Sequence, residues 1–87
     1  MLLPKQKRIK NKKLLYVIKQ VLGHCEVCGN TFALEAHHIK SKGAGGDDTA
    51  DNLIVLCREC HRKAHDGNIA REKLRSIVVR RRDVMFA

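Results

Sequence analysis

Three segments decide the fold of this chain: Cys25-Glu-Val-Cys28, Glu35-Ala-His37-His38-Ile39 and Cys57-Arg-Glu-Cys60-His61-Arg-Lys-Ala-His65. They contain all four cysteines and four of the five histidines, His24 being the exception. Their spacing indicates two kinds of site in a small domain. One is a cage of thiolates that would hold the fold together, and the other is a cluster of imidazoles that could carry out chemistry.

The cysteines form two CxxC pairs that are separated by 28 residues. Two residues between cysteines let a turn direct both sulfur atoms to one point, and two such turns complete a tetrahedron around zinc. The spacing therefore predicts a structural Zn²⁺ site. A redox CxxC needs a helix start in a βαβ setting, and that setting is missing for the first pair. The predicted ligands are Cys25, Cys28, Cys57 and Cys60.

The chain is short and basic, with 87 residues and a formal net charge of +9. A core of this size is marginal without a metal or disulfides. No acidic residue precedes Glu26, and Arg80-Arg81-Arg82 lies near the other end. These basic flanks favour nucleic acid as a partner over an anionic membrane, with a solvated surface as the alternative. No signal peptide or membrane span is evident, so we expect a reducing cytoplasm, where paired CxxC motifs bind metal.

The hydrophobic pattern predicts an α+β domain over residues 1–87. Its first ten residues form a flexible basic arm, and a basic amphipathic helix follows over 11–23, capped by Asn11 and ended by Gly23. A zinc-knuckle and hairpin core spans 25–67, and a basic helix over 68–87, capped by Asn68, completes the domain. Within the core we expect a strand at Thr31–Ile39, a loop at 40–51, a strand at Leu53–Leu56 and a helix at Arg58–Asp66.

Both terminal helices have candidate buried positions. In the first helix the apolar stripe is expected to pack on the core, and its members are Leu14, Val17, Ile18, Val21 and Leu22. In the last helix the expected buried residues are Leu74, Ile77 and Val78. Ile77-Val78-Val79 would also suit a strand, but we favour the helix.

The histidines have spacing that suits a metal ion. On a helix, His61 and His65 lie one turn apart and about 40° around the axis, so both imidazoles can reach one ion. On a strand, His37 and His38 point to opposite faces. One of these two could be the third ligand of the metal site formed by His61 and His65, while the other reaches a substrate bound beside that site.

The ordered run of His37-His38-Ile39, Gly45-Gly46, Asn52-Leu53 and Leu56-Cys57-x-x-Cys60-His61-x-x-x-His65 resembles the HNH endonuclease family. It is most similar to small members whose ββα-metal motif is supported by a four-cysteine zinc knuckle. The resemblance implies metal ligands at His37, His61 and His65, and a general base at His38. It also implies that Asn52 ties the loop between the strands and helps to hold the base. Many relatives have a proline after the paired histidines, where this chain has Lys40-Ser41-Lys42.

By this resemblance the chain is expected to be a metal-dependent DNA endonuclease that leaves 5′-phosphate and 3′-hydroxyl ends. One catalytic divalent ion (Mg²⁺, Mn²⁺, Ni²⁺ or Zn²⁺) would act on duplex DNA bound through its backbone, in a bacterial or phage-type cytoplasm. Possible phosphate contacts are Arg58, Arg62 and Lys63, although solubilising charge explains them equally well. We expect Glu35 to be a solvated carboxylate rather than an acceptor for a ligand imidazole. The alternative function is a non-catalytic zinc-knuckle module that binds nucleic acid. A protein partner or a homodimer remains open.

Overall fold

The computed structural model describes residues 9–85 and has the predicted α+β architecture. A two-stranded antiparallel sheet carries one helix on one face and two on the other. The elements are α1 (Lys12–Leu22), β1 (Leu34–His38), β2 (Leu53–Cys57), α2 (Arg58–His65) and α3 (Arg71–Met85). Two short 3-10 turns, Lys42–Ala44 and Ala50–Asn52, interrupt the connection between the strands, which the sequence had predicted to be an irregular loop.

The predicted hairpin is confirmed, with His38 opposite Leu53 and Leu34 opposite Cys57. β1 is shorter than the predicted strand, which began at Thr31. The cause is a local turn, in which the Asn30 side chain accepts a hydrogen bond from the Phe32 N–H at 3.0 Å. Ala33 then has a positive φ of 53°, so the chain becomes extended only from Leu34 onward.

The predicted caps of α1 are confirmed, but its packing stripe is partly wrong. Asn11 Oδ1 accepts from the Leu14 N–H at 3.1 Å, and Gly23 ends the helix in the left-handed region at φ 65°. Val17 and Val21, two members of the predicted stripe, are 38% and 62% exposed. A sheet of two strands covers only a narrow sector of the helix. The side chains that pack there are Leu14, Leu15, Ile18 and Leu22.

The two faces of the sheet build two small apolar clusters, and every residue of β2 is buried. Alternate side chains of a strand point to opposite faces, so Leu53 and Val55 pack against α1. Ile54 and Leu56 contribute to the other cluster, which also contains residues of α2 and α3 and three of the cysteines. Neither cluster is large, as expected for a chain of this length.

The C-terminal part of the chain is helical, so the strand alternative at Ile77-Val78-Val79 is wrong. Leu74 and Val78 are buried as predicted, and Ile77 is partly buried against the same cluster. α3 begins at Arg71 rather than after Asn68. The predicted helix extends to residue 87, and residues 86–87 lie outside the described part of the chain. α2 ends one residue earlier than predicted, and Gly67 follows at φ 79°.

The end of the predicted flexible arm is attached to the loop between the strands. The Ile9 N–H donates to Asp47 Oδ1 at 2.7 Å, and the Asp48 N–H donates to the Ile9 carbonyl at 2.8 Å. Residues 1–8 lie outside the described chain, and the flexibility of the arm stays a prediction. Between residues 9 and 85, no helix combines the length and the apolar character that a bilayer crossing requires.

A buried ion pair fixes α3 to the rest of the domain. Arg81 Nη1 lies 2.6 Å from Glu26 Oε1, and the two side chains are 10% and 6% exposed. Arg81 Nη2 also donates to the carbonyls of Ala50 and Leu53, at 2.8 and 3.1 Å. Because Glu26 Oε1 also accepts from the Val55 N–H at 2.9 Å, this pair joins the first cysteine turn to β2 and to α3.

Candidate metal centre and active site

The four cysteines come together in one cluster, with sulfur atoms all within 4.8 Å of one another. Cys25 and Cys28 lie in the turn after α1, where Gly29 has a φ of 80° and its N–H donates to the Cys25 carbonyl. Cys57 ends β2 and Cys60 lies on α2. The sulfur atoms of Cys28 and Cys57 are 3.7 Å apart. Sulfur atoms placed tetrahedrally at 2.3 Å from zinc would be about 3.8 Å apart, so the cluster fits such an ion.

The electrostatics of the cage also favour a cation. Burial acts to raise the pKa of the Cys25 thiol, but hydrogen bonds from backbone N–H groups, that of Cys28 first, outweigh it and lower the pKa to about 7. Burial raises the pKa of Cys60 far above its ordinary value, and hydrogen bonding among the neighbouring thiols acts in the same direction. One thiolate can therefore form readily, whereas full ionisation of the four sulfur atoms needs a positive ion among them.

Three histidines from two different elements form the second cluster. The potential ligand nitrogens of His37 (on β1) and of His61 and His65 (on α2) lie within 4.8 Å of one another. Nε2 of His61 is 3.1 Å from Nε2 of His65. Two imidazole nitrogens at about 2.1 Å from one ion, with an angle of 90–110° between them, would be about 3.0–3.4 Å apart. The arrangement therefore fits a shared divalent ion, at the wall of a cleft of about 430 Å³.

Glu35 orients one of these imidazoles, contrary to the prediction that it would be a solvated carboxylate. Its Oε2 forms a short hydrogen bond with Nδ1 of His61, although the carboxylate remains half-exposed. An ionised carboxylate can only accept, so Nδ1 carries the proton and Nε2 keeps its lone pair. This is the usual arrangement for a metal-binding histidine, in which a hydrogen bond to one nitrogen directs the other to the ion. Its position two residues before His37, on the same strand face, was the signal for this role.

His37 is the most buried member of the cluster, with 9% exposure. Burial, followed by repulsion from His61 and His65, lowers its pKa from 6.5 to about 4. The ring is therefore neutral at physiological pH and has a lone pair available for a cation. A metal ion and a proton compete for the same nitrogen, so the low pKa favours the metal.

His38 points to the opposite face of β1, as predicted, and meets a carboxylate that the sequence did not reveal. Its Nε2 is 2.6 Å from Oδ1 of Asp48, which is 3% exposed. Oδ2 of the same carboxylate accepts from the Asn11 N–H at 2.7 Å. Because the carboxylate can only accept, Nε2 of His38 carries a proton and Nδ1 is the free acceptor of the neutral ring.

Asn52 ties together the loop between the strands, as expected. Its Oδ1 accepts from the Lys40 N–H at 2.7 Å, while its Nδ2 donates to the carbonyls of Lys40 and Asp47 at 3.1 and 3.0 Å. These three bonds join Asn52, near the end of the loop, to Lys40 at its start and to Asp47, the neighbour of Asp48 in sequence. Asp48 is the residue that contacts His38. Asn52 therefore supports His38 through the position of Asp48 rather than by direct contact.

Comparison with known proteins agrees with this arrangement. The HNH endonuclease family model matches residues 25–67, the segment that carries all the cysteines and the histidine cluster. The chain belongs to the HNH endonuclease family. It is also 34% identical over 73 residues to the type IV methyl-directed restriction enzyme EcoKMcrA of Escherichia coli (strain K12). That match covers 74% of this chain but only 26% of the longer relative.

In this HNH protein, the predicted phosphate contacts do not line the histidine cleft. Lys42 and Arg71 line it instead, together with the histidines. Arg58 and Arg62 line a different cleft, and Lys63 lies 3.9 Å from the Glu59 carboxylate. Lys42 begins the first 3-10 turn between the strands, and Arg71 begins α3. Neither has a local sequence pattern that places it beside His65, so only the fold reveals them.

Proposed function

We propose that this chain is a metal-dependent DNA endonuclease that hydrolyses phosphodiester bonds. The observation that carries the proposal is that His37 and His38, adjacent on β1, belong to two different arrangements on the two faces of the strand. A cluster of three convergent imidazoles lies on one face, and a histidine oriented by a buried aspartate follows it directly in sequence. A module that only binds nucleic acid has no need of both.

The structural ion would be Zn²⁺ in the four-cysteine cage, and its binding energy would support the small core. The catalytic ion would be held by His37, His61 and His65, with Mg²⁺, Mn²⁺, Ni²⁺ and Zn²⁺ as candidates. Imidazole ligands suit Zn²⁺ and Ni²⁺ better than Mg²⁺. When bound, a divalent ion supplies Lewis-acid stabilisation of the negative charge that builds up on the scissile phosphate and its leaving oxygen.

His38 is the proposed general base. Its Nε2 is engaged by Asp48, so Nδ1 would accept the proton of the attacking water. The buried carboxylate fixes the ring and its tautomer, and it stabilises the imidazolium that forms when the proton is transferred. Asn52 would contribute by holding the loop that carries Asp48. The expected products are 5′-phosphate and 3′-hydroxyl ends, as in the family.

DNA is the proposed substrate, bound mainly through its phosphates. Lys42 and Arg71 line the histidine cleft and would contact phosphates next to the scissile one. Arg58, Arg62 and Lys63 are exposed on α2 and would contact phosphates farther along the strand. The net charge of +9 makes this affinity strongly dependent on salt.

Cleavage of supercoiled plasmid tests the proposal. Purified protein is incubated with plasmid before and after addition of Mg²⁺, Mn²⁺, Ni²⁺ or Zn²⁺. We expect nicking that depends on the metal and falls at least about 100-fold in His38→Ala, since general-base catalysis contributes about 10²–10⁴-fold. His24→Ala is the matched control, because His24 is exposed and its ring bonds only the Leu22 carbonyl within the part of the chain that the structure describes. Equal cutting by His38→Ala would exclude this base. Absence of nicking with every metal would favour the binding module.

A further inference from the structure

A second cleft, of about 380 Å³, lies at the start of α2 and shares no lining residue with the histidine cleft. It is bounded on one side by the turn before β1 and on the other by the exposed face of α2. Six of its lining residues are Asn30, Phe32, Ala33, Arg58, Glu59 and Arg62. The seventh lining residue is Cys57 of the cysteine cage, so the cleft adjoins that cage, but it contains no residue of the histidine cluster.

Phe32 is the unusual member of this cleft because its ring is 79% exposed. The backbone around it is nevertheless fixed. Asn30 Oδ1 accepts its N–H at 3.0 Å, and the next residue, Ala33, has a φ of 53°. A non-glycine residue at positive φ costs energy, and such residues cluster at catalytic and ligand-binding sites. The turn therefore presents an aromatic ring to the surface.

The other side of the cleft is positively charged. Arg58 and Arg62 lie one helical turn apart on the same face of α2, and both are exposed. Within residues 9–82, neither guanidinium forms an ion pair. The nearby Glu59 carboxylate lies 3.9 Å from the Lys63 ammonium group. The cleft thus offers one aromatic ring, which can stack on a base, and two guanidinium groups, which can bind phosphates. Together these groups suit a nucleotide.

The position of the cleft connects it to the proposed catalytic site. In an α-helix, Arg58 is about 60° around the axis from His61 and about 4.5 Å along it. Successive nucleotides of one duplex strand rise by about 3.4 Å. A strand whose phosphate lies at the histidine cluster would therefore reach this cleft within about one to three nucleotides.

We infer that the cleft binds an unpaired nucleobase close to the scissile phosphate. Phe32 stacks on the base, and Arg58 and Arg62 contact the phosphates on either side of it. A base inside a continuous duplex has both faces covered by its neighbours, so it cannot stack on Phe32. DNA with an unpaired nucleotide near the cut, as in a bulge or a flap, is thus the preferred substrate. This inference rests on the proposed function because it takes DNA as the ligand.

The test measures binding separately from cleavage. Two labelled duplexes of equal length, one with a single unpaired central adenine, are titrated with zinc-loaded protein by fluorescence anisotropy at fixed salt. No further metal is added, and the DNA is checked on a gel for integrity. We expect at least about fivefold tighter binding of the bulged duplex, because stacking of one base on an aromatic ring contributes about 5–150-fold in affinity.

Substitutions at Phe32 and Tyr16 show which residue causes the preference for the bulged duplex. Phe32→Ala should bind both duplexes equally, and Phe32→Trp should keep the preference. Tyr16→Ala is the matched control, since Tyr16 is an aromatic residue on α1 with 62% exposure, and it should keep the preference as well. The side chains of Phe32 and Tyr16 are both largely exposed, so these variants should remain folded. Arg58→Gln should weaken binding of both duplexes and reduce the salt slope by about 0.9.

Equal binding of the two duplexes by the parent protein would overturn the inference. It would also be overturned if the preference persisted in Phe32→Ala or disappeared in Tyr16→Ala. These results are distinguishable from failure of the proposed function. A protein that cuts plasmid but binds both duplexes equally refutes only the cleft, whereas one that prefers the bulge but never cuts refutes only the nuclease.

Discussion

Replacement of Asp48 by asparagine should inactivate the protein while leaving its shape and its metal ions in place. The substitution keeps the size of the side chain but exchanges one acceptor oxygen for a donor NH₂ group. In the parent, both carboxylate oxygens accept, one from His38 Nε2 at 2.6 Å and the other from the Asn11 N–H at 2.7 Å. An amide cannot satisfy both donors.

The consequence for His38 follows from the geometry. If the amide oxygen keeps its bond to the Asn11 N–H, the NH₂ group faces Nε2 of His38. Nε2 must then accept, the ring proton moves to Nδ1, and the nitrogen proposed to act as base has no lone pair. If the amide is reversed, its NH₂ group opposes the Asn11 N–H, and this part-buried donor loses its acceptor, at a cost of up to about 1 kcal/mol. The first orientation is therefore favoured.

We expect the cleavage rate of Asp48→Asn to fall by about 10²–10⁴-fold, the contribution that a positioned general base makes, and 10⁴-fold is known for a wrong histidine tautomer in a serine protease. The assay is single-turnover nicking of plasmid, with metal content measured on the same samples. Asp47→Asn is the matched control, because the Asp47 side chain accepts only from the Ile9 N–H on the described chain. The reasoning is refuted if Asp48→Asn, with its metal ions bound, cuts within about twofold of the parent.

Four further predictions concern the metal sites and the core. Cys57→Ala should leave the protein unfolded or insoluble, whereas His61→Ala should remain folded but inactive; circular dichroism and plasmid nicking distinguish them, and collapse of both would contradict separate sites. Glu35→Gln should weaken metal binding at the histidines by about 10–100-fold in a calorimetric titration, and an unchanged affinity would rule out its orienting role. Arg81→Met should lower the free energy of unfolding in urea by about 3–5 kcal/mol because it leaves Glu26 buried and unpaired. The exposed Arg82–Asp51 pair provides the control, with a loss below about 1 kcal/mol for Arg82→Met; equal losses would contradict this account. Finally, since burial lowers the pKa of His37 from 6.5 to about 4, the unfolded chain binds more protons between these values. In the metal-free protein, His37 should therefore destabilise the fold progressively as pH falls through that window, and the shift should cost no stability above it. A difference in Tm between the parent and His37→Gln that stays constant with pH would contradict this.

The two CxxC pairs and the His61/His65 pair could be predicted because their spacing is local, whereas the choice of His37 as the third member of the cluster followed only from the resemblance to the HNH family. Two residues between cysteines, and three between His61 and His65, determine where the ligands point once a turn or a helix forms. The opposite directions of His37 and His38 follow equally from the strand. The caps of α1 were predictable for the same reason, since the Asn11 side chain bonds the Leu14 N–H within a single turn.

What the sequence did not reveal depends on distant parts of the chain. Asp48 lies in a glycine-rich loop without periodicity, and its contact with His38 depends on the path of that loop, which the hydrogen bonds of Asn52 help to define. The Arg81–Glu26 pair joins residues separated by 55 positions, for which no local pattern exists. The packing face of α1 was misjudged because a two-stranded sheet covers a narrower sector than a complete apolar stripe requires.

Metal stoichiometry combined with cleavage, measured on one zinc-loaded preparation titrated with Ni²⁺, is the most direct test of the histidine site. The account predicts that the cysteine cage retains one ion per chain, that a second ion binds to the parent but not to His61→Ala, and that nicking appears together with the second ion. Binding of a single ion, or a second ion that His61→Ala binds equally well, would contradict the central claim that the three imidazoles form one catalytic metal site.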